Sequence, residues 1–516
     1  MSFPPGTTKR IFLCLASAAL VILSFPNYLE LTLLPKTAFL GWIALVPFFW
    51  ALEGVPVRQG AFLGWVFGFA QFGGILYWVG QIEAAKGLSW LGWFALVLYL
   101  SLYPLVFGFL FSLLKRVSLG PWVPPVLWVG LEYLRGTHPW GGFSWGELGY
   151  SQAPYPSILT FTAWFGVHGL TFLMVWFNAM AAEGLSAVLQ GREGRWSRSL
   201  MPFFVLGMVW VYGSLEIDRS AFEKKGTVAM LQASIPQAEK WSKANETATL
   251  QRFGKLVKGL GDPVPDLVLW PETAAPDFLS WSPDALRRVE RIIKGSRTYH
   301  LVGCLDAARG ARDPKTLSYN AAMAFDPDGR PSGAYHKRHL VPFGEFVPFQ
   351  KYIRFLGPVI GDLGNFDRGA RYELFRAKGF TYTPLICYEV IFPEDVSAAI
   401  RTGADSLVNI SNDAWYGRTA SAYQHAAMAV VRSAEQHKPL LRCSNAGICL
   451  ATDPFGKVLG STRLDEVRTF ISDVLVLKGA GTFYSRHGDW LPWTCLVVTA
   501  FLLVLGRVRA VGDGEE

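Results

Sequence analysis

The sequence predicts a two-part protein: a multi-span α-helical membrane bundle of about eight spans, joined to an α/β sandwich domain inserted before the last span. Three observations carry that prediction. The 516-residue chain is 51% apolar and 15% aromatic with only 17% charged residues, a low charged share for a soluble protein. Apolar stretches dominate residues 11–215 and return at 490–506, whereas 216–489 has ordinary globular polarity. That middle segment, roughly 270 residues long, is large enough for a core of its own, and short β-rich runs alternate in it with helix-like stretches. The expected division is 1–215 as a membrane domain with about seven transmembrane helices, 216–489 as a soluble-type domain, and 490–516 as the last helix and a tail.

Candidate spans are 11–25, 37–52, 60–81, 88–114, 121–137, 159–186, 200–215 and 490–506. Several fall short of the roughly 20 residues that cross a bilayer, so their boundaries are soft. Lys9-Arg10 before an apolar run resembles the start of a signal peptide. No small-residue cleavage site precedes Asn27 and another apolar stretch follows, which favours an uncleaved first span.

An even number of spans puts both termini on one side, together with Lys9, Arg10, Arg58, Lys115, Arg116, Arg192, Arg195, Arg198, Arg507 and Arg509. The short loops opposite carry only Lys36, Lys86 and Arg135. This bias predicts cytoplasmic termini and places 216–489 outside, on the periplasmic face of a bacterial inner membrane. The net charge of +8 thus resides partly in orientation signals, and no nucleic-acid partner is expected.

The outward loop 138–158 holds Trp140, Trp145, Tyr150 and Tyr155. Two readings stay open: an aromatic belt at headgroup depth, or part of a lipid entry route. Glu132 and His168 fall in or near spans, where an ionisable group is expensive and often functional.

In the polar segment, Thr227–Ile235, Asp266–Trp270, His300–Cys304, Asn320–Phe325, Phe380–Cys387 and Ser406–Ile410 read as buried strands. Helical patterns fit 245–260, 283–295 and 421–437, the last with Ala426, Ala427, Ala429, Val430 and Ala434 on repeating faces. Groups placed just after such strands would cluster at one sheet edge.

Three short stretches leave apolar strand-like runs with reactive groups. Cys387 sits in Leu385-Ile386-Cys387-Tyr388-Glu389; a lone cysteine is ordinarily a buried, inert thiol. Glu272 follows Leu267-Val268-Leu269-Trp270-Pro271; it reads as a solvated turn residue or, near a thiol, as a general base. Lys337 lies in His336-Lys337-Arg338-His339, a basic surface turn or an ammonium aimed at a developing oxyanion. Metal binding by His336 and His339 is disfavoured, since no third ligand is evident and the flanking cations repel a metal. Cys443 and Cys449 stand six apart around Asn445-Ala446-Gly447; a strained disulfide and two free thiols both remain open.

Thiol, carboxylate and ammonium together resemble the Glu-Lys-Cys triad of the nitrilase superfamily, and more closely its apolipoprotein N-acyltransferase family. Supporting stretches are Trp270-Pro271-Glu272, His336-Lys337 through Gly344-Glu345-Phe346-Val347-Pro348, Cys387-Tyr388-Glu389, Asn412-Asp413-Ala414-Trp415-Tyr416-Gly417, Asn445-Ala446-Gly447, and Gln232 to Trp241 with Ile235-Pro236-Gln237 inside it. The resemblance spans nearly the whole chain. It implies an α-β-β-α sandwich, with Glu272 as general base, Lys337 as oxyanion stabiliser and Cys387 as nucleophile. Glu345, Tyr388 and Glu389 would support the triad, and Trp241 and Trp415 would contact substrate. Cys449 stands where relatives commonly carry a small hydroxyl residue, a departure away from the triad.

The implied reaction moves a fatty acyl chain from a membrane phospholipid, through a Cys387 thioester, to the N-terminal diacylglyceryl-cysteine amine of apolipoproteins, with no metal or cofactor. A membrane-tethered amidase hydrolysing small amides or nitriles shares the triad but needs no apolar entry route. A non-enzymatic scaffold or transporter would have no need of all three groups. Phe346–Asp367 carries Phe349, Tyr352, Ile353, Phe355 and Leu356 beside Lys351 and Arg354, then Gly357, Gly361 and Gly364. It reads as an amphipathic arm over the site or as an ordinary surface loop with a short helix.

Overall fold

The computed structural model describes residues 6–82, 88–114, 120–139, 141–191, 200–240, 244–309, 316–346, 365–479 and 481–512. Trp140, Trp241 and nearly all of the 346–367 arm lie outside the described residues. So do Lys86, Lys115, Arg116, Arg192, Arg195 and Arg198. The chain divides into two compact units: Met1–Arg219 with Thr419–Ala427 and His487–Glu516, and Ser220–Arg418 with Met428–Arg486.

The first unit is helical. Four of its helices are long and apolar enough to cross a membrane by length and composition: Thr7–Ser24, Leu88–Leu114, Thr162–Leu189 and Met201–Arg219. Lys36–Ala51 and Trp490–Gly506 are apolar but shorter. The expected span 37–52 is a 3-10 turn, Lys36–Trp42, followed by the short helix Val46–Ala51 with proline in its first turn. Proline supplies no N–H to continue a helix from the preceding turn. Val57–Ile75 packs tightly on Leu102–Leu114 through small residues: a Cβ on Gly64 would meet the Pro104 carbonyl at 2.1 Å, and one on Gly108 the Gly60 carbonyl at 2.1 Å. Small residues four apart let helix backbones approach this closely.

One expectation for this unit is corrected, and one open reading is narrowed. Arg135, counted above as a loop cation, is 2% exposed. Its guanidinium donates to the carbonyls of Phe143 (2.8 Å) and Trp145 (2.7 Å) and lies over the Phe72 ring. Trp145 and Tyr150 are buried rather than set in an exposed belt, and the Trp145 indole donates to Gln424 Oε1 at 2.7 Å. The amphipathic rings satisfy their polar atoms inside the protein.

The second unit is a two-sheet sandwich. Its strands are β1 (Phe222–Gln232), β2 (Leu267–Leu269), β3 (Ala275–Phe278), β4 (Tyr299–Arg309), β5 (Thr316–Phe325), β6 (Pro331–His336), β7 (Phe375–Arg376), β8 (Thr381–Ile386), β9 (Ser406–Ser411), β10 (Leu440–Ser444), β11 (Leu450–Thr452), β12 (Val458–Ser461) and β13 (Arg468–Leu477). One sheet runs β13-β1-β2-β4-β5-β6 with β3 beside β4; the other runs β12-β11-β10-β9-β8-β7. In each, a parallel centre (β1, β2, β4; β8, β9, β10) is flanked by antiparallel strands.

Alternation along the strands builds the layers. Val228, Met230, Leu267, Leu269 and Leu301 pack with Ile386, Val408, Ile410 and Leu441 in one core. Ala229, Leu231, Val268, Trp270 and Val302 pack with Leu250, Phe253 and Val257 of helix Glu246–Lys258 and with Ala285, Val289 and Ile293 of helix Pro283–Lys294. On the second sheet, Ser433 bonds Thr452 at 2.6 Å and Gln436 donates to Ser397 of helix Pro393–Ile400 at 2.8 Å. The layering is helices, sheet, sheet, helices. The six strands and three helices expected from sequence form, with ends shifted by a few residues. β3, β6, β7 and β10–β13 were not anticipated.

Candidate active site

The site grows from strand ends. β2 runs into Trp270-Pro271-Glu272, β6 into Lys337, β8 into Cys387, and β9 toward Asp413 and Trp415. Parallel strands place their C-terminal ends along one edge, where loops carry chemistry. Trp270 anchors the first of these turns: it is wholly buried, stacked on Phe253 at 4.9 Å, and its indole donates to His300 at 2.9 Å. Gly303 lets the turn approach β4, because a Cβ there would lie 2.1 Å from the Pro271 carbonyl oxygen.

Around these ends the expected carboxylates and ammonium come together. Lys337 Nζ lies 3.5 Å from Glu272 Oε1 and 2.9 Å from Glu345 Oε1. Asn320 on β5 donates from the same Nδ2 to both carboxylates, at 2.7 Å each. The second oxygen of Glu345 accepts from the Val341 amide at 2.9 Å. Burial alone would discharge Lys337, but Glu345, Glu272 and Cys387 outweigh it and hold the ammonium above its ordinary range. Opposite charges at this distance favour the charged form.

Cys387 opens the 3-10 turn Cys387–Ile391 and adopts φ 51°. A non-glycine residue in that region costs about 1–3 kcal/mol and persists where its surroundings enforce it. Thr273, directly after Glu272, shares the strain at φ 46°. As a residue Cys387 is half-buried. Burial, then Glu272, pushes it up to about 12, against Lys337 and the Ser411 hydroxyl bonded to it. It is therefore a neutral thiol at neutral pH and requires a base to become a nucleophile.

Polar groups fix this turn from beneath. Asn409 donates to the Cys387 carbonyl at 3.3 Å and to Leu385 O at 3.2 Å. Arg442 bonds Asn409 and pairs with Asp413 at 2.8 Å, and Asp413 also accepts from Ser411 at 3.0 Å. Glu389 joins the nucleophile turn to the lysine turn. Its carboxylate accepts from the amides of Ile386 (2.7 Å), Arg338 (2.7 Å) and His339 (3.1 Å) and from the Tyr335 hydroxyl (2.8 Å). Burial pushes Glu389 up to about 7 while these amides favour its anion.

Tyr388 is buried against Phe392 and His339. Trp415 is partly exposed on the turn Asp413–Tyr416 after β9. His336 and His339 are not brought together as ligands: His336 pairs with Asp306 at 2.7 Å and His339 with Asp395 at 2.9 Å. No metal-ligand cluster occurs among the described residues. Cys443 and Cys449 are free, buried thiols, so the disulfide alternative is not realised.

Three functional neighbours escaped sequence reasoning: Asn320, Arg442 and Lys240, whose ammonium donates to the Glu272 carbonyl at 2.7 Å. Asn320 and Arg442 leave a trace, being polar residues inside apolar strands, where an unpaired group would be costly.

Family profiles match both parts of the chain: the apolipoprotein N-acyltransferase N-terminal domain over residues 17–180 and carbon-nitrogen hydrolase over 227–475. The apolipoprotein N-acyltransferase of Geobacter metallireducens is 32% identical over 97% of this chain and 96% of its own length. The chain belongs to the apolipoprotein N-acyltransferase family. Relatives of the same name from Brucella melitensis (31% identity, 91% of each chain) and Photobacterium profundum (28%, over 93% and 92%) extend the match. Among solved structures, Saccharomyces cerevisiae Nit3 aligns over 49% of this chain and 91% of its own, at 18% identity and a TM-score of 0.37. Family membership joins the helical unit and the sandwich in one enzyme class.

Proposed function

We propose that this chain is a phospholipid:apolipoprotein N-acyltransferase with Glu272, Lys337 and Cys387 as its catalytic residues. The observation that carries the chemistry is the strained, neutral Cys387 thiol beside the Glu272–Lys337–Glu345 cluster. Glu272 takes the thiol proton as the Cys387 sulfur attacks an ester carbonyl of a phospholipid. Lys337 and the Tyr388 amide stabilise the oxyanion, each such donor contributing about 3–4 kcal/mol to barrier lowering. The C–O bond then breaks, Glu272 returns the proton to the departing lysophospholipid oxygen, and a Cys387 thioester remains. The α-amine of a diacylglyceryl-cysteine attacks this thioester; its proton passes through Glu272 to the leaving thiol, and an amide forms. Two substrates using one site in turn predict ping-pong kinetics.

Glu345 holds Lys337 in place, Glu389 ties the two turns together, and Trp415 and Trp241 are the proposed substrate-binding residues. A thioester in contact with water would hydrolyse, so the reading places the sandwich, 216–489, on the periplasmic face of the inner membrane beside its lipid. About eight spans in 1–215 and 490–516 would anchor it, with both termini cytoplasmic. The profile match over residues 17–180 favours this reading over a tethered amidase, which needs no such partner domain.

The test is mass spectrometry of the purified full-length protein after incubation with phospholipid vesicles. A fatty-acyl adduct on Cys387, absent in Cys387→Ala, supports the transferase. Efficient turnover of small amides without any adduct would favour the amidase, and acyl transfer persisting in Cys387→Ala would defeat the mechanism.

A further inference from the structure

Lys240 stands outside the triad yet beside it. It ends the four-residue helix Gln237–Lys240, is 2% exposed, and donates to the Glu272 main-chain carbonyl at 2.7 Å. Among the described residues that carbonyl is the one hydrogen-bond partner of the Lys240 ammonium, although an ammonium carries three donors. Burying such a cation is costly unless something repays the lost hydration. The chain leading to it is clamped: Ile235 exchanges hydrogen bonds with the Asn445 side chain at 2.9 and 2.7 Å, and Asn412 donates to Gln237 at 2.8 Å. The segment ending at Lys240 is thus tied to Asn445 and Asn412 by three hydrogen bonds.

Two consequences follow from that position. The Glu272 peptide is pinned between the Lys240 ammonium and the close approach of Gly303, directly before the strained Thr273. Charge is also redistributed. Glu272 and Glu345 are two carboxylates with one ammonium, Lys337, bonded between them. A second buried cation acts on Glu272 and on Cys387. Burial brings Lys240 down to about 8, against the opposing pull of those two groups.

We propose, resting on the acyl-transfer reading above, that Lys240 is a positioning residue. It pins the Glu272 turn and supplies the second cation that keeps the cluster neutral while the Cys387 proton moves to Glu272. The groups that bear on its charge are Glu272 and Cys387, with Lys337 and Glu345 behind them and Asp413 beside the thiol. Removing a cation disfavours carboxylate and thiolate alike, so the acidic limb of the acylation pH profile must move to higher pH.

The experiment measures single-turnover acylation of full-length enzyme by phosphatidylethanolamine vesicles and by p-nitrophenyl octanoate, across pH, in Lys240→Met, Lys240→Gln and Lys240→Arg. Lys240→Met and Lys240→Gln should slow acylation about tenfold and raise the limb by about one pH unit, the lower end of what a nearby opposite charge does. Lys240→Arg should return the limb to its wild-type position. Lys240→Gln keeps an N–H for the carbonyl, so it reports the charge even if Lys240→Met does not fold. A wild-type limb in Lys240→Gln, with only a lowered Tm or burst amplitude, would make Lys240 a mere structural clamp and overturn the proposal. Wild-type enzyme that forms no adduct with either donor would instead defeat the acyl-transfer reading itself.

Discussion

Two clusters of buried ionisable groups, one in each unit, are built from similar residues and bonded differently. In the sandwich, Glu272, Glu345 and Lys337 share short contacts with Asn320. They lie beside the half-buried Cys387, which stands on a strained turn. In the helical unit, His168 lies 3.8 Å from Glu147 and 3.7 Å from Asp489, while Glu132 accepts from the Trp128 indole at 3.2 Å and the Leu148 amide at 3.0 Å. Arg135 there binds only carbonyls and a ring among its described contacts. The second cluster ties a loop, a helix and the entrance of the last helix together. The comparison teaches that burial of charge does not by itself mark a reaction centre. Proton transfer to a reacting atom needs adjacent partners and an accessible nucleophile.

Substitutions should separate the two clusters. Lys337→Met should lower the rate of Cys387 acylation by about 10²–10³-fold, the loss expected for an oxyanion donor, as read by quenched-flow mass spectrometry. It should also destabilise the sandwich, because two buried carboxylates lose their cation. Arg442→Met breaks a buried pair with Asp413 and loosens Asn409 under the nucleophile. About 3–5 kcal/mol of stability should be lost, measured by denaturant unfolding, with slower acylation at temperatures where the variant is folded.

A third prediction concerns pH. With its base removed in Glu272→Gln, alkylation of Cys387 by iodoacetamide should climb about tenfold per pH unit through the neutral range, because only the thiolate reacts. The thiol sits near 12 in the native site, so the reactive fraction grows as pH rises toward that value. A plateau near neutral pH would show that the thiol is already ionised. The smallest effect is expected in the other cluster: His168→Gln should leave acylation by p-nitrophenyl octanoate within about twofold, surface-like in its effect on the chemistry, while lowering thermal stability. A large loss of acylation with normal stability would make the helical cluster part of the reaction after all.

Much of the site was legible because its members end apolar strands. Leu267-Val268-Leu269, Thr381–Ile386 and the run before Lys337 each deliver one reactive group at the point where sheet pairing stops. Arg135 shows the opposite case. A guanidinium near the end of an apolar run reads as a loop cation until the Phe143 and Trp145 carbonyls are seen to hold it inside. Trp145 and Tyr150 were left between readings for the same reason: an aromatic ring suits a membrane interface and a buried core equally well.

The sequence by itself determined the two-part architecture, the motifs that nominate Glu272, Lys337 and Cys387 as a candidate trio, and the alternation that layers the sandwich, since hydrophobic pattern and local motifs are properties of neighbours along the chain. Only the tertiary structure decided that Asn320 bridges two carboxylates, that Glu389 fastens the lysine turn to the cysteine turn, and that Lys240 reaches the Glu272 peptide. Those pairings join residues 25 to 54 positions apart. A buried polar group takes whichever partner folding brings within hydrogen-bond reach, and no spacing rule along the chain specifies that partner.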